Sequence, residues 1–253
     1  MNAPPIKSAE RALTLLELFA LEQVPMTVTE LARGMDIPQS STSALIQSLV
    51  TMGYLEQDIR SRTYYPTIRV TMLGTWMRRA QKRAGQLPEL LSEASKITGE
   101  STVLAMRNGI YSQYILGYIG KSPDRARVES GMLYPLACSS TGWCLLSSYS
   151  DVEIGKIIRR TRVEAKREHW RTTAASALDQ VRSFRTKGYV FSSGETVPGL
   201  GGYAILLPSQ LGASALSAGV GGPIERLKDK KTLILDTLDQ LSKGAVELVQ
   251  PSP

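Results

Sequence analysis

Residues 8–65 carry three short helical patterns and then two strand-like segments around a charged tip, a succession that few small folds accommodate. The first pattern covers 8–21. Leu13, Leu16 and Ala20 recur at helical spacing with Ala12 and Phe19 alongside, Glu10, Thr14 and Glu17 lie opposite, and Ser8 is placed to cap the start. The second opens on a capping box, Thr27 with Glu30 three residues on, and sets Val28, Leu31, Ala32 and Met35 on one buried stripe. Asp36 follows at the turn; aspartate tolerates left-handed backbone better than most residues, though less well than glycine. Pro38 opens the third pattern, over 39–52, with Leu45, Ile46, Leu49, Val50 and Met52 at its rear. Its start, Gln39-Ser40-Ser41-Thr42-Ser43, is a poor helix former, so the run fits a face that must approach something closely.

Gly53-Tyr54-Leu55 leaves that helix, and Glu56 to Tyr65 reads as a hairpin whose tip holds Arg60 and Arg62. Three short helices and a hairpin form a winged helix-turn-helix. A helix with a thin polar front enters a major groove about 12 Å wide, where Ser, Thr and Gln hydrogen-bond base edges or phosphates. Arginines on a wing sit on phosphates or in a minor groove. The competing reading of the same pattern is a winged helix used for protein contacts alone.

Residues 71–84 continue as a helix with Met72, Thr75 and Trp76 on one face and Arg78, Arg79, Lys82 and Arg83 at a basic end. Gly85 and Pro88 then mark a break. The expected division is a DNA-binding domain over 1–70, a linker helix over 71–84 and a second domain over 85–253. Beyond the break, helical patterns cover 88–98, 141–148, 152–160, 174–187 and 224–249. Strand patterns cover 101–107, 110–119, 125–130, 189–193, 202–207 and 214–221, with Asn108-Gly109 as a strong hairpin signal between the first two. Strand pairs with helices grouped around them predict an α+β fold with an antiparallel sheet.

Net charge is +7, divided as +3 up to Gly85 and +4 beyond it, so basicity permits nucleic-acid binding without locating it. The longest apolar-leaning stretch, 134–150, is broken by Pro135 and Gly142 and is not a transmembrane helix. The N-terminal residues do not read as a signal peptide, because Glu10 and Glu17 interrupt them. Two cysteines, Cys138 and Cys144, make no disulfide framework, and a reducing cytoplasm is expected. With His169 they form the only thiol–imidazole set the chain allows, against the plainer reading of two small core residues and a histidine on a solvated charged face.

No GxSxG, P-loop or HExxH motif occurs, and no metal or organic cofactor is expected. Gly199-Leu200-Gly201-Gly202 precedes a strand rather than a helix, so it lacks the helix start a dinucleotide site needs. It lets a backbone approach closely, either another strand or a small ligand. Gly219-Val220-Gly221-Gly222-Pro223 and Ser139-Ser140-Thr141-Gly142 share that ambiguity; the latter gathers hydroxyls and N–H groups at a helix start.

The order of these pieces resembles the IclR family of bacterial transcriptional regulators from Ser8 to about Val249. It rests on Ser8-Ala9-Glu10-Arg11-Ala12-Leu13, Thr29-Glu30-Leu31-Ala32, Ile37-Pro38 with Ser40-Ser41, Gly53-Tyr54-Leu55, and Tyr64 with Leu73-Gly74. Further on it rests on Pro135-Leu136, Ser140-Thr141-Gly142, Gly188-Tyr189 and Gly222-Pro223-Ile224 with Arg226. The resemblance implies a winged helix that binds a DNA operator, a linker helix and a GAF-like domain that binds a small effector, often an organic or aromatic acid. It also implies a homodimer or a dimer of dimers. By position, Gln39, Ser40, Ser41, Thr42, Ser43 and Gln47 face DNA with Arg60 and Arg62, and the effector pocket draws on Ser140, Thr141, Ser192, Leu200, Gly202, Gly219 and Gly221.

Departures from the family pattern refine that expectation. Ala44 stands where an arginine is usual, Asp36 replaces a turn glycine, and Pro66 in the second wing strand points to a sheet edge. Ser192 stands where some members have a carboxylate, Trp143 replaces a common lysine, and Gly219 and Gly221 stand where binders of small acids can have serines. An effector larger or more apolar than a two- or three-carbon acid is therefore expected. Two other readings compete: a sensor acting through protein contacts, and an enzyme carried on a DNA-targeting module, which Cys144 with His169 alone sustains.

Overall fold

A computed structural model describes residues 6–74, 86–164, 170, 174–211 and 214–248. The chain divides into two compact units, residues 1–77 and 78–253.

The first unit comprises α1 (Lys7–Glu22), α2 (Val28–Met35), α3 (Gln39–Thr51), β1 (Leu55–Asp58), β2 (Thr63–Pro66) and α4 (Ile68–Met72). Its core is Leu15, Phe19, Met26, Leu31, Ile46, Leu49 and Leu55. The buried row of α1 differs from the expected one. Leu15 and Phe19 face inward, whereas Leu13 is 62% exposed. Leucines at 13, 15, 16 and 18 fit two adjacent helical rows equally well, and only the packing partner chooses between them. Ser8 is inside the helix rather than capping it; Ile6 holds the cap position and offers no side-chain bond. The hairpin pairs Asp58 with Thr63 and Leu55 with Pro66. With two strands, both are edges, so Pro66 breaks no ladder. Met26 and Tyr64 exchange backbone hydrogen bonds at 2.8 and 3.1 Å, which anchors the hairpin to the loop before α2. Of the helix expected over 71–84, residues 71 and 72 end α4, and 75–85 lie outside the described residues.

The second unit holds α5 (Leu87–Thr98), β3 (Ser101–Asn108), β4 (Tyr111–Tyr118), β5 (Leu133–Pro135), α6 (Ser140–Leu146), α7 (Asp151–Glu164), α8 (Ala174–Lys187), β6 (Val190–Ser193), β7 (Leu200–Leu206), β8 (Leu216–Pro223), α9 (Ile224–Asp229) and α10 (Lys231–Glu247). One antiparallel sheet runs β5-β4-β3-β8-β7-β6. Leu87, Leu91 and Ala94 of α5 and Ile234, Leu238, Leu241 and Ala245 of α10 cover one face of it. Cys144 to Leu146 of α6, Ile154, Ile157 and Ile158 of α7 and Ala177, Val181 and Phe184 of α8 form the core of the other side. Each large aliphatic side chain so buried stabilises by roughly 1.5–3 kcal/mol.

Two expectations change here. Residues 125–130 form no strand; the edge strand is 133–135, paired with β4. The single helix expected over 224–249 is two, because Lys230 at φ −92° and ψ 11° leaves helical geometry between α9 and α10. Among the described residues, no helix is long and apolar enough to cross a membrane.

Candidate nucleic-acid interface and ligand pocket

The turn between α2 and α3 is built locally. Thr27 Oγ1 accepts from the Glu30 N–H at 3.3 Å, and Glu30 Oε2 accepts from the Thr27 N–H at 2.8 Å. The Thr27 N–H, and the Thr27 hydroxyl donating to the same Oε2 at 2.8 Å, hold the Glu30 carboxyl below the usual carboxylate range. Asp36 takes the left-handed conformation, φ 52°, and the Ile37 N–H reaches back to the Ala32 carbonyl at 3.2 Å. The chain thus reverses within the residues between Met35 and Gln39. Gln39 Nε2 donates to Thr29 Oγ1 at 3.3 Å, tying the start of α3 to α2.

Ile46 and Leu49 seat α3 on the core, so Gln39, Ser40, Ser43, Ala44 and Gln47 are exposed and Ser41 is half-buried. Thr42 departs from the set expected to face DNA. It is fully buried, and its hydroxyl donates to the Pro38 carbonyl at 3.2 Å, so it belongs to the core side of the helix. The wing tip is residues 59–62. Asp58 Oδ1 accepts from the Arg60 N–H at 2.8 Å, and Arg62 adopts φ 55°. Arg60 and Arg62 are exposed and form no ion pair among the described residues.

In the second unit all seven residues expected around an effector line one open cavity. Its floor is the sheet at Val103, Gly202, Gly219 and Gly221, and Ser140 and Thr141 stand over it at the start of α6. The Ser139 side chain caps α6 by accepting from the Gly142 N–H. The first-turn N–H groups of Ser140 and Thr141 have no acceptor within the helix. Thr141 and Ser112 hydroxyls bond at 2.8 Å, and the Ser192 hydroxyl donates to the Gly202 carbonyl at 3.4 Å.

The glycine segments resolve differently along their length. A Cβ at Gly201 would collide with the Ser192 carbonyl and the Phe191 ring, so there the close neighbour is a strand. A Cβ at Gly202 would lie 3.1 Å from Ser140 Oγ and 3.7 Å from Ser192 Oγ, inside the cavity.

Sequence reasoning missed the aromatic and loop parts of the lining. Tyr114 and Tyr134 form one wall with ring centroids 5.2 Å apart, and Ala126, Arg127 and Val128 come from the segment between β4 and β5. The Ser101 hydroxyl pins that segment, donating to the Ala126 carbonyl at 2.6 Å and accepting from the Gly120 N–H at 2.9 Å. No local signal in 119–132 announces this role, because the pinning residue is on another strand. Burial pushes the Tyr114 phenol up, with Tyr134 adding to it, so its hydroxyl stays protonated. Among the described residues Arg127 is the one charged residue of the lining; its side chain is 76% exposed and paired with Glu129 at 2.6 Å.

Cys138 and Cys144 are both buried. Burial pushes the Cys138 thiol up to about 12, with Glu195 adding to it, and its Sγ donates to the Trp170 carbonyl at 3.4 Å. Burial raises Cys144 as well. Both are protonated core residues at neutral pH. His169 lies outside the described residues.

Residues 8–58 match the family model of the IclR helix-turn-helix domain, and residues 84–247 match that of the bacterial transcriptional regulator IclR C-terminal domain. The HTH-type transcriptional regulator BhcR of Paracoccus denitrificans is 24% identical over 243 residues, spanning 96% of this chain and 86% of its own length. An IclR transcriptional regulator from Silicibacter sp. TM1040 shares the fold over 97% of this chain and 98% of its own, with TM-score 0.61 and 18% identity. The effector domain of an IclR regulator from Acinetobacter sp. ADP1 aligns over 69% of this chain and all of its own, with TM-score 0.61 and 26% identity.

Proposed function

Since this chain belongs to the IclR family, and so is a DNA-binding regulator of transcription, we propose that a small organic acid bound in the cavity of its second unit sets how tightly it holds its operator. The observation that carries this reading is the convergence of Ser140, Thr141, Ser192, Leu200, Gly202, Gly219 and Gly221 on one cavity. Hydroxyls and first-turn N–H groups stand at one side of it and apolar walls at the other. Hydrogen bonds from Ser140, Thr141 and, on turning away from the Gly202 carbonyl, Ser192 take the carboxylate, and Val103, Tyr114, Val128, Tyr134 and Leu200 enclose the rest. Gly219 and Gly221 add space and no donor, which favours an acid larger or more apolar than two or three carbons, an aromatic acid among them.

On the DNA side, Gln39, Ser40, Ser41, Ser43 and Gln47 form the reading face, and Arg60 and Arg62 hold phosphates or enter a minor groove. Residues 1–70 act as the DNA-binding domain, 71–84 as a linker and 85–253 as the effector domain. The protein works in the cytoplasm as a homodimer or a dimer of dimers. Two recognition helices then read half-sites about 34–36 Å apart or a multiple of that, on a roughly palindromic operator. The acid acts by favouring one arrangement of the two reading heads over the other. The protein does no chemistry on the ligand.

The test is a salt-titrated binding assay on the DNA flanking this protein's own gene, with and without a panel of aliphatic and aromatic acids from two to ten carbons. The expected result is site-selective, salt-sensitive binding that a larger acid changes and acetate does not. Binding that no acid alters, or that only two-carbon acids alter, defeats the effector reading.

A further inference from the structure

The outward row of α3 carries no charge. Among its thirteen residues none is acidic or basic, and its exposed positions are Gln39, Ser40, Ser43, Ala44, Gln47 and Ser48, with Thr51 at its end. Two of these hydroxyls are already turned back onto the helix: Ser48 donates to the Ala44 carbonyl at 2.9 Å and Thr51 to the Gln47 carbonyl at 2.8 Å. One N–H of the Gln39 amide, at the very start of the helix, is engaged by Thr29. What α3 presents near its middle is therefore the Ala44 methyl, the Gln47 amide one turn on, and the hydroxyl of Ser43. In the major groove, guanine is read chiefly by Arg or Lys at O6 and N7, adenine by Gln or Asn at N6 and N7, and the thymine methyl by an apolar side chain such as Ala.

Taking α3 as the base-reading helix, we infer that the base pairs under its centre are A·T pairs, with Gln47 spanning an adenine and Ala44 packed on a thymine methyl. The wing agrees with this. Arg60 and Arg62 stand unpaired among the described residues at the hairpin tip, and the narrow minor groove of A·T tracts draws arginine most strongly. With no guanidinium on α3, sequence choice falls on an amide and a methyl, and the general hold on DNA falls on cations elsewhere in the unit, Arg60 and Arg62 of the wing among them.

The experiment is selection of bound duplexes from a randomised pool by the full-length chain, repeated with Gln47→Ala and Ala44→Arg. Both positions are exposed, so neither change disturbs the core. The wild-type motif is expected to hold A·T at the positions that the two variants alter. Gln47→Ala should relax the preference at one position by roughly 5- to 150-fold, the worth of one bidentate base contact. Ala44→Arg should install guanine at a neighbouring position. A wild-type motif with G·C at those positions, or a motif that Ala44→Arg leaves unchanged, overturns the inference while leaving the regulator reading intact. Failure of the wild type to retain any duplex at low salt would instead overturn both.

Discussion

The buried carboxylate of Glu100 accepts from Arg226 Nε at 2.6 Å and Nη2 at 2.9 Å, across 126 residues of sequence. Lys230 Nζ adds a bond of 2.9 Å to the same carboxylate, and Arg226 Nη1 reaches Asp124 at 2.6 Å. The cluster joins the start of β3 to α9 and to the segment that carries Ala126 to Val128 into the cavity. Arg226→Ala leaves the carboxylate buried with Lys230 as its one cation among the described residues. The expected loss is about 3 kcal/mol, the lower end for breaking a buried pair. Urea unfolding of the full chain followed by tryptophan fluorescence measures it, and an unmoved midpoint would show that the cluster adds no stability.

The same carboxylate makes stability depend on acid. Burial pushes the Glu100 pKa up, but hydrogen bonds and charge from Arg226 and Lys230 outweigh it, and the net direction is down from 4.5. A group whose folded pKa is depressed stabilises fully above its unfolded value and loses that contribution as pH falls through the folded one. Glu100→Gln should therefore be less stable than the wild type at neutral pH, with the gap narrowing as pH drops below 4.5. A gap that stays constant down to about pH 3 contradicts the linkage.

Asp36 holds φ 52° at the end of α2, where a residue with a Cβ is under steric strain. Asp36→Gly is expected to raise the stability of the first unit by about 0.5–1 kcal/mol, the strain relieved exceeding the chain entropy added. A lower midpoint in thermal unfolding would mean that the Asp36 side chain contributes more than its backbone costs.

Arg60 and Arg62 are predicted to hold phosphates or groove without specifying bases. Replacing both by alanine should weaken binding evenly across operator variants that differ only under α3. It should also flatten the plot of log affinity against log salt by about 0.9 for each phosphate no longer neutralised. An unchanged slope would place the wing away from DNA.

How far these sites are legible follows the range of the interactions that make them. The Thr27–Glu30 box, the Asp36 turn and the Asn108-Gly109 hairpin depend on residues within a few positions of one another, and the sequence carries each in full. The buried row of α1 is ambiguous in sequence because Leu13 and Leu15 satisfy the same period, and Leu31 and Ile46 decide between them from elsewhere in the chain. Thr42 reads as one more small polar residue of a polar run; the Pro38 carbonyl one turn behind it takes its hydroxyl. The seven cavity residues follow from motif position, but Tyr114, Tyr134 and Ala126 enter through strand pairing and the Ser101 tether, which no spacing along the chain encodes.

Gly221 and Gly219 separate the effect of cavity size from that of fold. A Cβ at 221 would lie 3.5 Å from the Gly201 carbonyl oxygen and 3.7 Å from the Ala126 Cβ, ordinary contact that the backbone accepts unmoved. At 219 it would meet the Tyr203 carbonyl oxygen at 3.1 Å and Thr141 Cγ2 at 3.3 Å, so strand and helix must both give. Gly221→Ser is therefore the clean test of the cavity. It adds a donor and takes up space without disturbing β7 or β8. If a large or aromatic acid fills this cavity, the variant should respond to it at least roughly tenfold more weakly, the scale of one group added or removed in an apolar pocket. A two- or three-carbon acid should gain relative to it. DNA binding without acid should be unchanged, because the substitution lies in the second unit. The measurement is the acid concentration that half-alters operator binding, for acids of increasing size, in wild type and variant. The same ranking and the same midpoints in both would mean that the responding acid does not reach Gly221.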